Sequence, residues 1–309
     1  MTSPLLSRPG AVPADPPDEG VAAHYGDPFR EQRLLVARAA SVDLSHRPVI
    51  RVTGPDRLPW LHSLTSQALE HLEPGVATQT LVLTPHGHVE HELSLVDDGE
   101  AVWAHVEPGA AEGLVRYLDS MRFWSKVEVE DVSTTYAVVL RPGPVEGAPT
   151  RVTPEGVESF VPRADLERVL AGELAGVWAL EALRIAAGRP RFGLETDHRT
   201  IPHEVGWIGP AVHLDKGCYR GQETVARVQN LGRPPRRLVL LHLDGSESVL
   251  PAHGDPVALD DRQVGFVTSS ARHYELGPVA LALVKRSTPT EATLVAGGVA
   301  AAQEVLVPA

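Results

Sequence analysis

The residues best suited to chemistry lie in DKGCYRGQE, residues 215–223. Cys218 is the only cysteine among 309 residues, with Lys216 two positions before it, Arg220 two after, and glycines at 217 and 221. A thiol reacts as its thiolate, and nearby cations or a helix N-terminus favour that form. The run QETVARV (222–228) has the pattern of a short amphipathic helix, so Cys218 stands just ahead of a positive helix end. The glycines give the turn backbone freedom and let a ligand come close. A lone cysteine is more often a small buried hydrophobe, but the polar, glycine-rich neighbours here argue for a working thiol. Glu223 and Arg227, spaced i, i+4, suit a surface ion pair or a ligand contact equally.

Histidines supply two further groups. His86, His88 and His91 fall in a strand–turn–strand pattern. Strand alternation sends 88 and 91 to opposite faces, and no fourth ligand is evident, so no dedicated zinc site is expected. His198, His203 and His213 are candidate bases for Cys218 in a cysteine hydrolase, although spacing alone fixes no geometry. One cysteine excludes an intrachain disulfide. Alone it cannot supply the thiolates of an iron–sulfur cluster or a closed zinc site.

These residues must be positioned by a chain with 43 % hydrophobic residues, enough for a sizeable core, and a net charge of −12. The acidic balance argues against a general nucleic-acid grip. No leader or apolar span stands out; the longest apolar run, PVALALV at 278–284, is too short to cross a bilayer. A cytoplasmic protein without a membrane partner is expected.

Residues 1–29, rich in proline, read as a disordered or draped arm. REQRLLVARAA (30–40) reads as a helix and VIRVTG (49–54) as a strand, with Asp56 placed to cap a helix running through Leu58, Leu61, Leu64 and Leu69. TQTLVLTP and HVEHELSLV, joined by PHGH, form a hairpin pattern, and a turn at 97–100 leads to AVWAHV. A helix over 111–121 and strands in KVEVEDV and TYAVVL complete an α+β domain, 49–140. Residues 141–159 have linker composition. GVWALEALRIAAG (176–188) reads as a helix with a stripe of Val177, Leu180, Leu183 and Ala187, stopped by Gly188 and Pro190. Residues 189–215 show no period, which in a compact region points to function. From 233 to 309, short strands a turn apart predict a small all-β barrel.

K-G-C-Y-x-G-Q-E, standing here as Lys216, Gly217, Cys218, Tyr219, Gly221, Gln222 and Glu223, resembles the signature of the YgfZ-like folate-binding proteins. These are relatives of the glycine-cleavage T-protein, an aminomethyltransferase. LEALRIAAGRPRFGLETDHRTIPHEVGW (180–207), VTGPDRLPWLHSL (52–64) and GDPVALDDRQVGFVTSSARHYELGPVALALV (254–284) extend the resemblance over residues 30 to 305. It implies an α+β fold in a three-domain ring. The central domain would comprise 30–48 plus 141–232, beside the 49–140 domain and the 233–309 barrel. It further implies tetrahydrofolate binding and support for assembly or repair of iron–sulfur proteins, including tRNA-modifying enzymes. Cys218 would be the key thiol, with Lys216 and Tyr219 beside it. Glu204 would bind the pteridine, whose edge offers paired donors, and Arg227 the folate tail. Where T-proteins carry G-G-x-x-D-D, this chain has Gly87-His88-Val89-Glu90-His91-Glu92. His91 could still move a proton, which keeps a folate-dependent one-carbon transferase or demethylase as the alternative activity.

Overall fold

The strands form two five-stranded sheets, a two-stranded ribbon and a closed six-stranded barrel, with several strands buried along nearly their whole length. A computed structural model describes residues 2–246 and 249–307. Met1 of the expected arm, and residues 247–248 and 308–309 of the expected barrel domain, lie outside the described residues. The chain divides into two compact units. The first comprises residues up to Val82, His91–Leu180 and Asp215–Tyr219; the second comprises Leu83–Glu90, Glu181–Leu214 and the chain from Arg220 onward.

The first unit contains two five-stranded sheets. One has the order Thr78–Leu83, Val89–Asp97, Ala101–His105, Val49–Thr53, Glu128–Asp131. Leu93 and Leu95 on one face of this sheet join Leu114 and Leu118 of helix Ala111–Ser120 and Leu61 and Leu64 of helix Arg57–Leu64 in a single core. The other sheet has the order Thr150–Val152, Val157–Pro162, Tyr136–Arg141, Ser41–Asp43, Leu174–Ala175, and only its last pairing is parallel. Residues 141–159, expected as a linker, therefore supply an edge hairpin. Val157, Ser159 and Val161 are buried against the neighbouring strand, a tertiary demand that outweighs Gly and Pro composition.

The proline-rich start holds a 3-10 turn, Pro4–Ser7, and a two-stranded ribbon, Val12–Pro13 with Ala22–His24. Leu5 is buried beside Val139, Val161 and Leu166. The first α-helix, Pro28–Val36, starts at Asp27, whose carboxylate accepts the N–H groups of Phe29 and Arg30. Asp56, ahead of the helix expected to run through Leu69 but ending at Leu64, does not repeat this. It stands at the N-cap of Arg57–Leu64 but makes no side-chain cap bond, accepting instead the N–H of Lys126 at 2.7 Å. Its φ of −92° and ψ of 3° lie outside the extended geometry that aims a cap oxygen at the helix.

The second unit is dominated by a closed six-stranded barrel, in the order Arg236–Leu243, Gly277–Lys285, Arg262–His273, Pro256–Leu259, Leu294–Ala296, Val299–Val305. Closure removes sheet edges. Val239, Leu241, Val267, Ala280, Ala282 and Val284 fill it. Residues 189–215 are irregular as expected, with one 3-10 turn at Pro202–Val205. On helix Val177–Ala186 the buried apolar positions are Val177, Ala179, Ala182 and Ile185, with Arg184 buried beside them, and Ala187 is exposed, so the stripe is rotated from the expected one. Among the described residues no helix is long and apolar enough to cross a membrane.

Candidate functional site

Lys216 decides how the signature turn is held. The helix Arg57–Leu64 leaves its last carbonyls without intrahelical donors. The Lys216 ammonium donates to the carbonyls of His62 and Thr65, and to that of Gln67 at 3.2 Å. It thus closes the negative end of a helix about 150 residues earlier in the chain. The side chain is only 7 % exposed, and burial pushes its pKa down to about 8. Its nitrogen also lies 5.0 Å from the ring centroid of Tyr219. Tyr219 is itself buried, which raises its phenol to about 12. Lys216 and Tyr219, expected beside the thiol as chemical groups, are both built into the packing.

Cys218, between them in sequence, is a free and exposed cysteine. Arg220, the other flanking cation, pairs with Glu90 at 3.1 Å. Both cations that the sequence sets around the thiol are thus engaged in anchoring.

Gly221 is the N-cap of helix Gln222–Leu231, with φ of 84°. A Cβ there would fall 2.6 Å from the Thr84 carbonyl oxygen and 3.0 Å from the Cα of Gly87. This glycine is needed so that the helix start can press on the turn at 84–87, not so that a ligand can approach. Gly217 has open space around its Cβ position. Glu223 and Arg227 are both exposed and form no ion pair with each other among the described residues.

Glu204 is fully buried in the turn Pro202–Val205. Its carboxylate receives Arg236 Nε at 2.9 Å, Arg236 Nη2 at 2.8 Å and the Ile201 N–H at 3.2 Å. Arg236 also forks onto Asp197 at 2.6 and 3.1 Å. Burial alone would raise the Asp197 carboxyl, but bonds from Arg236, the Arg199 N–H and Thr200 outweigh it and hold it well below its usual range. A carboxylate has about four lone-pair sites, and three of those of Glu204 are taken by these donors. The sequence showed the acid but not its partner: Arg236 lies 32 residues on, and no local pattern links them. Arg227, by contrast, is exposed.

His91 and Glu92 point to opposite faces of strand Val89–Asp97. His91 shares its face with Leu93 and Leu95, and its Cε1 would lie 3.2 Å from a Cβ at Gly113 on helix Ala111–Ser120. Glu92 is buried, with Gln79 Nε2 and Ser94 Oγ each donating to Oε1 at 2.9 Å. Burial lifts its pKa to about 7, a rise that Glu107 reinforces and that Gln79, Ser94 and Arg151 oppose. Sequence reasoning weighed His91 as a proton carrier and did not foresee that burial would raise the neighbouring Glu92 carboxyl. Nearby, Arg151, Glu158 and His105 form a buried cluster, with His105 Nε2 3.0 Å from Glu158. Burial alone would raise Glu158, but Arg151 and His105 hold it well below the carboxylate range. Among the described residues, no group of three or more His, Cys, Asp or Glu side chains is placed to hold a metal ion.

Residues 236–308 match the glycine cleavage T-protein C-terminal barrel domain. The chain is similar over 98 % of its length, and over 95 % of the other's, to the crystal structure of glycine cleavage system aminomethyltransferase T from Bartonella henselae, with a TM-score of 0.78 and 18 % identity. This chain has the T-protein fold. It is 27 % identical to the aminomethyltransferase of Streptomyces coelicolor over 322 residues, covering 89 % of this chain and 86 % of that protein. With the aminomethyltransferase of Geobacillus kaustophilus the identity is 29 %, covering 82 % and 81 %. A chloroplastic protein of Arabidopsis thaliana, provisionally named a transferase, is 26 % identical over 76 % of this chain, and the match spans 64 % of that relative's length. The α+β layers and the six-stranded terminal barrel expected from the sequence are those of this T-protein-like, aminomethyltransferase-like fold.

These contacts carry two testable consequences. Lys216→Met keeps the aliphatic stem but leaves the helix-end carbonyls without their cation. Denaturant titration should show a loss of about 1–3 kcal/mol, with the alkylation rate of Cys218 changed less than about threefold; a tenfold fall in that rate would make Lys216 an activator of the thiol. Glu92 in the native state keeps its proton up to about pH 7, whereas an unburied glutamate loses it near 4.5. The native state binds the extra proton across that window, so stability falls as pH rises through it. Glu92→Gln should flatten that decline and gain about 1–3 kcal/mol over wild type at pH 8, read from denaturation midpoints at pH 5 and 8.

Proposed function

We propose that this chain binds tetrahydrofolate or a derivative and supports assembly or repair of iron–sulfur proteins, tRNA-modifying enzymes among them, through the thiol of Cys218. The observation that carries this reading is that the chain's one thiol is exposed, in a turn whose flanking cations serve as anchors. An exposed thiol is reachable by a partner protein's cluster, thiol or persulfide. The likeness of the signature to YgfZ-like proteins favours this role on an aminomethyltransferase-like fold. We place the protein in the cytoplasm, with folate and iron–sulfur client proteins as partners and no nucleic-acid or membrane partner.

Glu204 would meet the pteridine edge with its remaining acceptor site, Tyr219 would border the ligand, and Arg227 would take the carboxylates of the tail. When bound, tetrahydrofolate supplies a reduced pterin able to carry one-carbon units. Glu92 or His91 would hold a proton. That buried carboxyl, protonated to about pH 7, favours a second reading, a folate-dependent one-carbon transferase or demethylase. Turnover of reduced folate with methylated or aminomethyl donors would promote it over the first.

Calorimetry with reduced folates should show saturable binding by wild type. Glu204→Gln should weaken it about tenfold or more, the worth of a charge-assisted hydrogen bond. No binding by the folded wild type would sink the folate reading. Cys218→Ser should leave fold and folate affinity unchanged and abolish support of a cluster-dependent tRNA-thiolating enzyme in cells lacking the wild-type protein. Full support by the Ser variant would remove the thiol from the function.

A further inference from the structure

The barrel unit carries an open cleft of about 630 Å³ whose lining includes Arg233, Arg237, Arg286, Thr288, Pro289 and Val305. Arg237, on strand Arg236–Leu243, is 2 % exposed. Its Nη1 donates to the carbonyl of Arg286 at 2.9 Å and its Nη2 to that of Thr288 at 2.7 Å. These bonds tie down the turn after strand Gly277–Lys285, but neutral carbonyls do not cancel a charge. No carboxylate pairs with Arg237 among the described residues. Its Nε, and the buried hydroxyl of Thr288, have no hydrogen-bond partner. Other buried or half-buried arginines of this unit are provided for: Arg236 holds Asp197 and Glu204, and Arg184 holds Glu181 and Glu195. A guanidinium taken out of water without a counter-ion is costly, and Arg237 bears that cost.

Arg233 and Arg286 add two exposed guanidiniums to the same cleft, with Arg286 Nη1 3.4 Å from the Arg233 carbonyl. The one lining carboxylate, Glu291, is exposed and pairs with none of the three. Three guanidiniums against one carboxylate leave a charge of about +2, close to the opposite of a phosphate monoester, about −1.5 to −2 at neutral pH. Guanidinium forks match phosphate oxygens in geometry as well as charge. The volume falls within the roughly 300–1,000 Å³ of small-molecule sites, more than a bare ion needs, and Pro289 and Val305 offer an apolar wall.

We propose that this cleft binds a small organic phosphate, with Arg233 and Arg286 gripping the phosphate, Arg237 supplying the field from beneath, and Pro289 and Val305 taking the organic part. The site is independent of folate. Phenyl phosphate serves as the probe, followed by calorimetry and by thermal shift on the full chain. The wild type should bind it saturably and gain melting temperature. Arg233→Gln combined with Arg286→Gln, both on exposed side chains, should weaken binding at least about tenfold with an unchanged melting temperature in the absence of ligand. Arg237→Gln should weaken it too, but the rim variant keeps the test valid if that chain fails to fold. The proposal is overturned if phenyl phosphate does not saturate the wild type at millimolar concentration, or if the rim variant binds it equally well. It also fails if benzoate binds as tightly, which would make the site one for carboxylates, or if inorganic phosphate does, which would remove the role of the apolar wall.

Discussion

A single ammonium group, that of Lys216, holds the signature turn in place. It reaches the carbonyls of His62, Thr65 and Gln67 at the closing end of helix Arg57–Leu64. A helix end without donors and a buried lysine without acceptors would each be costly; together they satisfy one another. That mutual need fixes Gly217, Cys218 and Tyr219 relative to the first unit's core. Tyr219 closes the arrangement by offering its ring face to the same cation. Cys218 is left as the member of the turn with a side chain turned to solvent.

The second unit solves a different problem with the same physics. Residues 189–215 have almost no regular structure, so their backbone groups and charges must find partners individually. Buried ions do much of this. Glu195 accepts from Arg184, from the Arg191 N–H and from the hydroxyls of Thr268 and Ser269 on the barrel. Glu204 and Asp197 share Arg236 at the start of the first barrel strand. Such pairs are worth little if judged against an apolar core, but removing one partner strands a charge in a dry place. The irregular segment is thus pinned to the barrel by interactions that tolerate little change, which is why an aperiodic run of this length can be well defined.

Legibility varied with the range of the interaction. The barrel strands, the hairpin at PHGH and the helix 111–120 were readable because each rests on local alternation or a local turn. The hairpin in residues 141–159 was not, because its glycines and prolines mark turns while its strands are specified by the neighbouring strand Tyr136–Arg141. Asp56 was misread as a cap, because the segment at Lys126 competes for the same carboxylate. At His91-Glu92, residue type favoured the imidazole. Burial raises the neighbouring Glu92 carboxyl, and burial depends on which face of the strand meets the rest of the unit.

By itself the sequence determined the α+β class, the terminal barrel and the presence of one thiol in a glycine-flanked basic turn, since composition, period and local chemistry carry that information. Only the tertiary structure decided what the charged residues of that turn do. Lys216 became a helix cap and Arg220 a partner of Glu90; beyond the turn, Glu204 became a partner of Arg236 and Arg237 a buried cation without a counter-ion among the described residues. A charge takes its role from the groups within a few ångströms of it and from how much water is excluded there. Both are properties of residues far apart in the chain.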